Sequence, residues 1–181
     1  MAVMLPGDAF TVIPNQLYAG PYPGSTHRAE AVRKVEDLMD IGITHFVDLT
    51  EVREKGRRGN LYPYAPFLEE VAASREIAAP RHTRMSIPDL GVPSAGQMRE
   101  TLELIKGSLA AGQTVYFHCW GGVGRTGTVL GCLLIERGTP HDDVFDVIEQ
   151  MRAGTTRAIR QAPETEQQRE FVLNWPVPTS R

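Results

Sequence analysis

A cysteine, a run of glycines and an arginine stand together in His118-Cys-Trp-Gly-Gly-Val-Gly-Arg-Thr-Gly127, with five residues between Cys119 and Arg125. A cysteine thiol titrates near 8.5 in water and falls to about 3.5–7.5 at a helix N-terminus or beside a cation. Both aids are expected here, because the apolar strand Thr114-Val-Tyr-Phe-His118 leads into the turn and Thr128-Val-Leu-Gly-Cys-Leu-Leu-Ile135 leaves it with a helical pattern. Small residues at Gly121, Gly122 and Gly124 let the chain bend tightly and turn backbone N–H groups inward. With Trp120 and Val123 they form a loop that fits a tetrahedral anion, and Arg125 grips two of its oxygens at once. The predicted chemistry is attack of sulfur on phosphorus, with Thr126 donating its hydroxyl to the thiolate and His118 orienting the loop. A buried imidazole with a single partner is the equally weighted alternative for His118.

The oxygen leaving phosphorus needs a proton. Asp89, in Ile87-Pro-Asp-Leu-Gly-Val-Pro93, follows a predicted strand and precedes a capped helix, so it stands at a strand end that would face a crevice. A plain turn-forming aspartate is the competing account, and Cys119 tips the balance towards the acid.

The elements that must hold these residues interleave. Phe10–Ile13 and Gln16–Ala19 read as short strands divided by Pro14-Asn15. A helix is expected from Ser25 or Thr26, with stripe Ala29, Val32, Val35, Leu38 and Met39, ending near Gly42. Ile43–Leu49 reads as a buried strand, Phe67–Ile77 as a weakly patterned helix and His82–Ile87 as a strand. Ser94 and Gln97 form a capping pair ahead of Leu102, Leu104, Ile105 and Leu109. A helix near Pro140 has Thr139 as cap and Asp142-Asp143 in its first turn, and a last helix spans Pro163 to Trp175. The segment from Thr50 to about Pro66 is either a functional loop or a mobile insertion. The fold class is α/β: a central mixed, mostly parallel sheet flanked by helices on both faces, in a single domain over residues 1–175 with a frayed tail at 176–181.

Composition bounds the rest. The 181 residues suffice for one domain with a real core, and 41% hydrophobic with 23% charged residues is ordinary for a globular chain. A formal net charge of -3 argues against broad nucleic-acid binding. No stretch is apolar enough to span a bilayer and the start lacks a signal-peptide pattern, so the expected location is cytoplasmic. Two cysteines, Cys119 and Cys132, make neither a disulfide framework nor a zinc pair. Cys132 reads as a small core residue, with a reversible disulfide to Cys119 as a minor alternative.

Rival chemistries fit less well. Gly122-x-Gly124-x-x-Gly127 matches a dinucleotide fingerprint, but Glu149 falls in a helix and no second βαβ unit follows. The triphosphate-binding loop needs a lysine where Arg125 stands. A sulfurtransferase and an inactive phosphopeptide-binding module also remain.

The residues resemble the cysteine-dependent protein tyrosine phosphatases, in their dual-specificity branch. The signature His-Cys-x5-Arg-Ser/Thr is matched by His118, Cys119, Arg125 and Thr126, and the upstream Asp-x-x-x-Pro by Asp89 and Pro93. Leu17-Tyr-Ala-Gly-Pro-Tyr-Pro-Gly24 is similar to the family's opening strand and turn. The resemblance implies a two-step phosphomonoester hydrolysis with no metal and no cofactor, Cys119 as nucleophile and Asp89 as acid and then base. It also implies a glutamine that places the water, for which Gln161 is the candidate and Gln167 the reserve. The Asn-x-x-Tyr motif of the larger tyrosine-specific members is not found. Tyr62 and Tyr64 would line the entrance or be solvated loop residues, the latter preferred. Members acting on lipid or inositol phosphates carry lysines where Trp120 and Val123 stand, so the expected partner is a phosphorylated protein or peptide. Arg53, Lys55, Arg57 and Arg58 are either contacts for acidic flanks or a solvated cluster.

Overall fold

The computed structural model describes residues 5–54 and 60–178. Lys55, Arg57 and Arg58 of the basic cluster, read as acidic-flank contacts or as a solvated cluster, lie outside the described residues, as does the end of the tail. A short 3-10 turn, Pro6–Asp8, precedes β1 (Phe10–Ile13) and β2 (Leu17–Gly20). Then follow α1 (Arg28–Asp40), β3 (His45–Asp48), α2 (Ala65–Ser74), β4 (Arg81–Arg84), α3 (Ala95–Ala110) and β5 (Val115–His118). Helices α4 (Gly124–Glu136), α5 (Val144–Arg152) and α6 (Glu166–Leu173) close the chain.

The strands form one sheet in the order β1-β2-β5-β3-β4, with β1 antiparallel to β2 and all other pairs parallel. Side chains alternate across it. Leu17, Ala19, Val47, Val115 and Phe117 face a core shared with α3, α4, α5 and α6. Tyr18, Phe46 and Tyr116 face a second core built with α1 and α2. Helices therefore cover both faces, the α/β arrangement expected. Placing β5 centrally puts its C-terminal end, and the turn that follows, at the middle of the sheet's edge, flanked by β2 and β3.

Local chemistry sets the helix ends. Ser94 caps α3 by accepting from Gln97 N–H at 3.1 Å, as the sequence predicts. Other expected starts are corrected. Ser25 does not open α1; its Oγ accepts from His27 N–H at 3.1 Å and donates to Glu30 at 2.7 Å, which delays the helix to Arg28. Thr139 does not cap α5, because a turn over 141–143 intervenes and the helix begins at Val144. The last helix starts at Glu166 rather than Pro163, since Thr165 and Gln168 form a reciprocal capping box there.

Candidate active site

The turn from Cys119 to Arg125, expected from the sequence to hold a phosphate, is built from the end of β5 and the start of α4. Gly122 has φ +68°, and a Cβ there would lie 2.6 Å from the Gly20 carbonyl carbon, so the second glycine of the turn is required twice over. At Gly124 the constraint is space alone: a Cβ would press the Gln168 amide at 3.0 Å. No side chain caps α4. Its first N–H groups, which a helix leaves unpaired, carry the positive end of the dipole at the turn.

Cys119 is buried to 3% exposure. Its N–H donates to Thr126 Oγ1 at 2.9 Å, tying the first turn of α4 to the cysteine backbone. The hydroxyl oxygen thus serves as an acceptor, a role the sequence reading did not foresee. His118 Nδ1 lies 3.0 Å from the Cys119 carbonyl and its Nε2 lies 2.7 Å from the Tyr64 hydroxyl. With Nδ1–H donating to the carbonyl, Nε2 accepts from the phenol. Burial lowers the His118 pKa, which agrees with that neutral form.

Tyr64 corrects the expectation of a solvated loop residue. It is fully buried, edge-on to His118 and Tyr22, and burial raises its phenol well above the ordinary value. Tyr62 is 44% exposed, as expected. Beneath the same turn Asp48 is fully buried. It accepts from Thr50 N–H at 2.9 Å and Thr50 Oγ1 at 2.6 Å, and it meets Arg84 at 2.9 Å and His82 at 3.1 Å. Burial would raise its carboxyl, but the hydrogen bonds from His82 and Thr50 outweigh that and hold it well below the usual range.

Arg125 is 2% exposed. Its Nη1 and Nη2 each donate to Glu54 at 2.6 Å, Nη1 also reaches the Ile87 carbonyl at 3.1 Å, and Nη2 lies 3.1 Å from Asp89 Oδ1. Burial opposes its charge; the Glu54 carboxylate outweighs burial and raises its pKa. The arginine is thereby held in one orientation by a bidentate pair. Asp89, 60% exposed in its side chain, stands on the rim beside it.

Cys119, Trp120, Gly121, Val123, Gly124, Arg125 and Asp89 line one cleft of about 840 Å³. Trp120 stacks on Tyr22 with ring centroids 5.1 Å apart. Arg157 flanks the turn, donating from Nη1 to the Gly121 carbonyl at 2.8 Å. Arg157's own backbone and that of Arg160 are pinned by the buried Arg152, which donates to both carbonyls at 2.9 Å.

The glutamines are placed differently from expectation. Gln161 is exposed in a separate hollow with Glu164, Glu166, Arg169, Glu170 and Leu173, where its amide oxygen accepts from Arg169. Gln167 is exposed on α6, one residue out of phase. Gln168 is the glutamine that is buried and lines the cleft. Cys132 sits in the core on α4, where burial raises its thiol strongly. The residues that sequence reading missed are Glu54, Tyr64, Asp48 and Gln168. Only two carried a signal: Asp48 ends an apolar strand, and Gln168 stands three residues after Thr165 in a capping pattern.

No helix among the described residues is long and apolar enough to cross a membrane. A family model described as "Swiss Army Knife protein, DSP-PTPase phosphatase domain" matches residues 13–172. A putative tyrosine phosphatase of Invertebrate iridescent virus 3 is 30% identical over 105 residues, which is 56% of this chain and 38% of the viral protein. The triple specificity protein phosphatase PtpB of Mycobacterium tuberculosis is 26% identical over 197 residues, covering 83% of this chain and 71% of that one. Among solved structures, the active form of Tk-PTP superposes with a TM-score of 0.68 at 25% identity, covering 92% of this chain and 94% of that one. With that match along most of its length and the geometry around Cys119, the chain belongs to the dual-specificity-type cysteine phosphatase superfamily.

Proposed function

We propose that the protein hydrolyses phosphomonoesters through a covalent phosphocysteine, with phosphorylated protein side chains as substrates. The Cys119 thiolate attacks phosphorus; the P–O bond to the leaving group breaks, and Asp89 gives its proton to the departing oxygen. Water then attacks phosphorus, Asp89 takes the water's proton, and the electron pair of the P–S bond returns to sulfur as phosphate leaves. The unpaired N–H groups of α4 and the Arg125 guanidinium stabilise the phosphoryl oxygens through both steps. Protein groups supply every proton and charge that this scheme needs.

One observation carries the reading. Asp89, from a distant segment of the chain, lines the same cleft as Cys119 and Arg125, with its carboxylate 3.1 Å from the guanidinium. An intact nucleophile and arginine weigh against an inactive binding module. A reduced thiol fits a cytoplasmic location. The test is turnover of para-nitrophenyl phosphate in chelator by wild type and by Cys119→Ser. Phosphate release by the first and none by the second is expected; equal release would overturn the assignment.

A second substrate class has its own support. Among the described residues the Arg157 guanidinium meets a carbonyl and no carboxylate. A non-protein phosphate with a second anionic group, such as an inositol or lipid phosphate, would use it. A panel of phosphopeptides and phosphoinositides assayed with Arg157→Ala separates the two: selective loss on the polyphosphates favours the second class.

A further inference from the structure

The buried Gln168 has a geometry that does not suit the family's water-placing glutamine. Its Oε1 accepts from Glu164 N–H and Thr165 N–H, both at 3.1 Å. An amide oxygen has two acceptor sites, so both are taken. Its Nε2 donates to the Gly91 carbonyl at 3.1 Å, on the segment that carries Asp89. Next to it, Thr165 Oγ1 accepts from Gln168 N–H at 3.2 Å and donates to the Leu90 carbonyl at 3.4 Å. The other face of the amide packs on Gly124, the first residue of α4, where a Cβ would press on it at 3.0 Å.

We propose that Gln168, with Thr165, is a positioning residue that braces the 88–93 loop against the phosphate turn, and that it does this in place of holding the attacking water. The proposal rests on the assignment of Asp89 as the acid. The loop is fastened at two points. Upstream, the Ile87 carbonyl accepts from Arg125 and the Ser86 carbonyl accepts from Gln97. Downstream, the Leu90 and Gly91 carbonyls meet Thr165 and Gln168. Asp89 stands between them, largely exposed, with Leu90 at φ +59°, a left-handed conformation that a leucine adopts only when its surroundings enforce it. The upstream bonds fix where the loop starts. The downstream bonds fix how far Asp89 reaches over the cleft. A proton donor must stand within hydrogen-bond reach of the leaving oxygen, so slack at the downstream end weakens the acid without touching the nucleophile.

The test uses Gln168→Glu, which keeps the oxygen that caps α6 and loses the donor to Gly91. Hydrolysis of phenyl phosphate, a poor leaving group, is compared with that of para-nitrophenyl phosphate, a good one. The added charge weakens phosphate binding equally for both, so the ratio is the readout. The expected result is a loss in kcat/KM of about tenfold or more for phenyl phosphate and under about threefold for para-nitrophenyl phosphate. In an Asp89→Asn background the selective loss shrinks to within about twofold, because the two residues act as one unit. Equal loss on both substrates, or a loss that persists without Asp89, would overturn the brace. Hydrogen exchange at the Leu90 and Gly91 amides, whose N–H groups bond within the loop to Asp89 Oδ1 and the Pro88 carbonyl, reads the slack of the loop without turnover: faster exchange at unchanged melting temperature is expected, and unchanged exchange refutes the brace. Absence of turnover in wild type would sink the phosphatase reading, while the exchange measurement would still decide the brace.

Discussion

The two ends of the parallel strands solve the same problem with different consequences. At the N-terminal ends His45, in register with Val115 of β5, is fully buried and held at both nitrogens, by Ser108 Oγ at 2.8 Å and Thr83 Oγ1 at 2.9 Å. At the C-terminal ends His118, in register with Asp48, is equally buried and held at both nitrogens, by the Cys119 carbonyl and the Tyr64 hydroxyl. Burial lowers the pKa of both rings. One imidazole joins a strand to a helix and another strand. The other fixes the carbonyl of Cys119, the proposed nucleophile, and has Asp48, His82 and Arg84 nearby. A buried histidine is therefore no mark of function here. The mark is the concentration of paired charges at one end, with a glycine turn and an uncapped helix above them.

Substitutions at the two ends should separate activity from stability. The largest effect is expected for Cys119→Ser, which removes the proposed nucleophile: turnover should fall by about 10⁴-fold or more in a phosphate-release assay while the melting temperature holds. Next, Asp89→Asn should slow phenyl phosphate by about 10²–10³-fold and para-nitrophenyl phosphate far less, measured as a leaving-group series. Third, Glu54→Gln should weaken the bidentate grip on Arg125 and lower kcat/KM by about tenfold or more, seen in steady-state kinetics, with smaller loss of stability than at the opposite end.

The smallest effect is a pH dependence at the N-terminal ends. His45 titrates at about 4 in the folded chain, against 6.5 as its ordinary value, chiefly through burial, with Arg81 and His82 adding. An unfolded chain binds a proton at this site below 6.5 and the folded chain does so only below about 4. The stability it contributes is thus complete above 6.5 and is lost as pH falls towards 4, on the order of 3 kcal/mol. His118 acts in the same direction. Asp48, whose carboxyl is depressed, loses its contribution only below 3.8. Thermal melts of wild type and His45→Gln across that range should show a steeper acid decline in wild type; parallel curves would erase the contrast.

Much of the site end was legible because its signals are local. A nucleophile, a glycine turn and an arginine lie within a few residues of each other, and strand and helix patterns flank them. Asp89 followed from its place after a strand. The parts that were not legible depend on distant chain segments. Glu54 reaches Arg125 across 71 positions, and Tyr64 reaches His118 across 54. Neither spacing leaves a periodic trace. The glutamine was misplaced for a related reason: the expected water-placing role pointed to Gln161, whereas the Thr165 cap sets the phase of α6 and turns Gln168 inward. Helix starts at Thr139 and Pro163 failed because several capping residues competed nearby and side-chain contacts chose among them.

The central claim is that sulfur 119 takes up the phosphoryl group. Rapid acid quench after mixing the enzyme with an aryl phosphate, followed by peptide mass spectrometry, reads this directly. The account predicts one phosphoryl group on the peptide containing Cys119, at higher occupancy in Asp89→Asn than in wild type with a good leaving group. Sustained turnover with that peptide unmodified, or with the phosphoryl group on another residue, would contradict it.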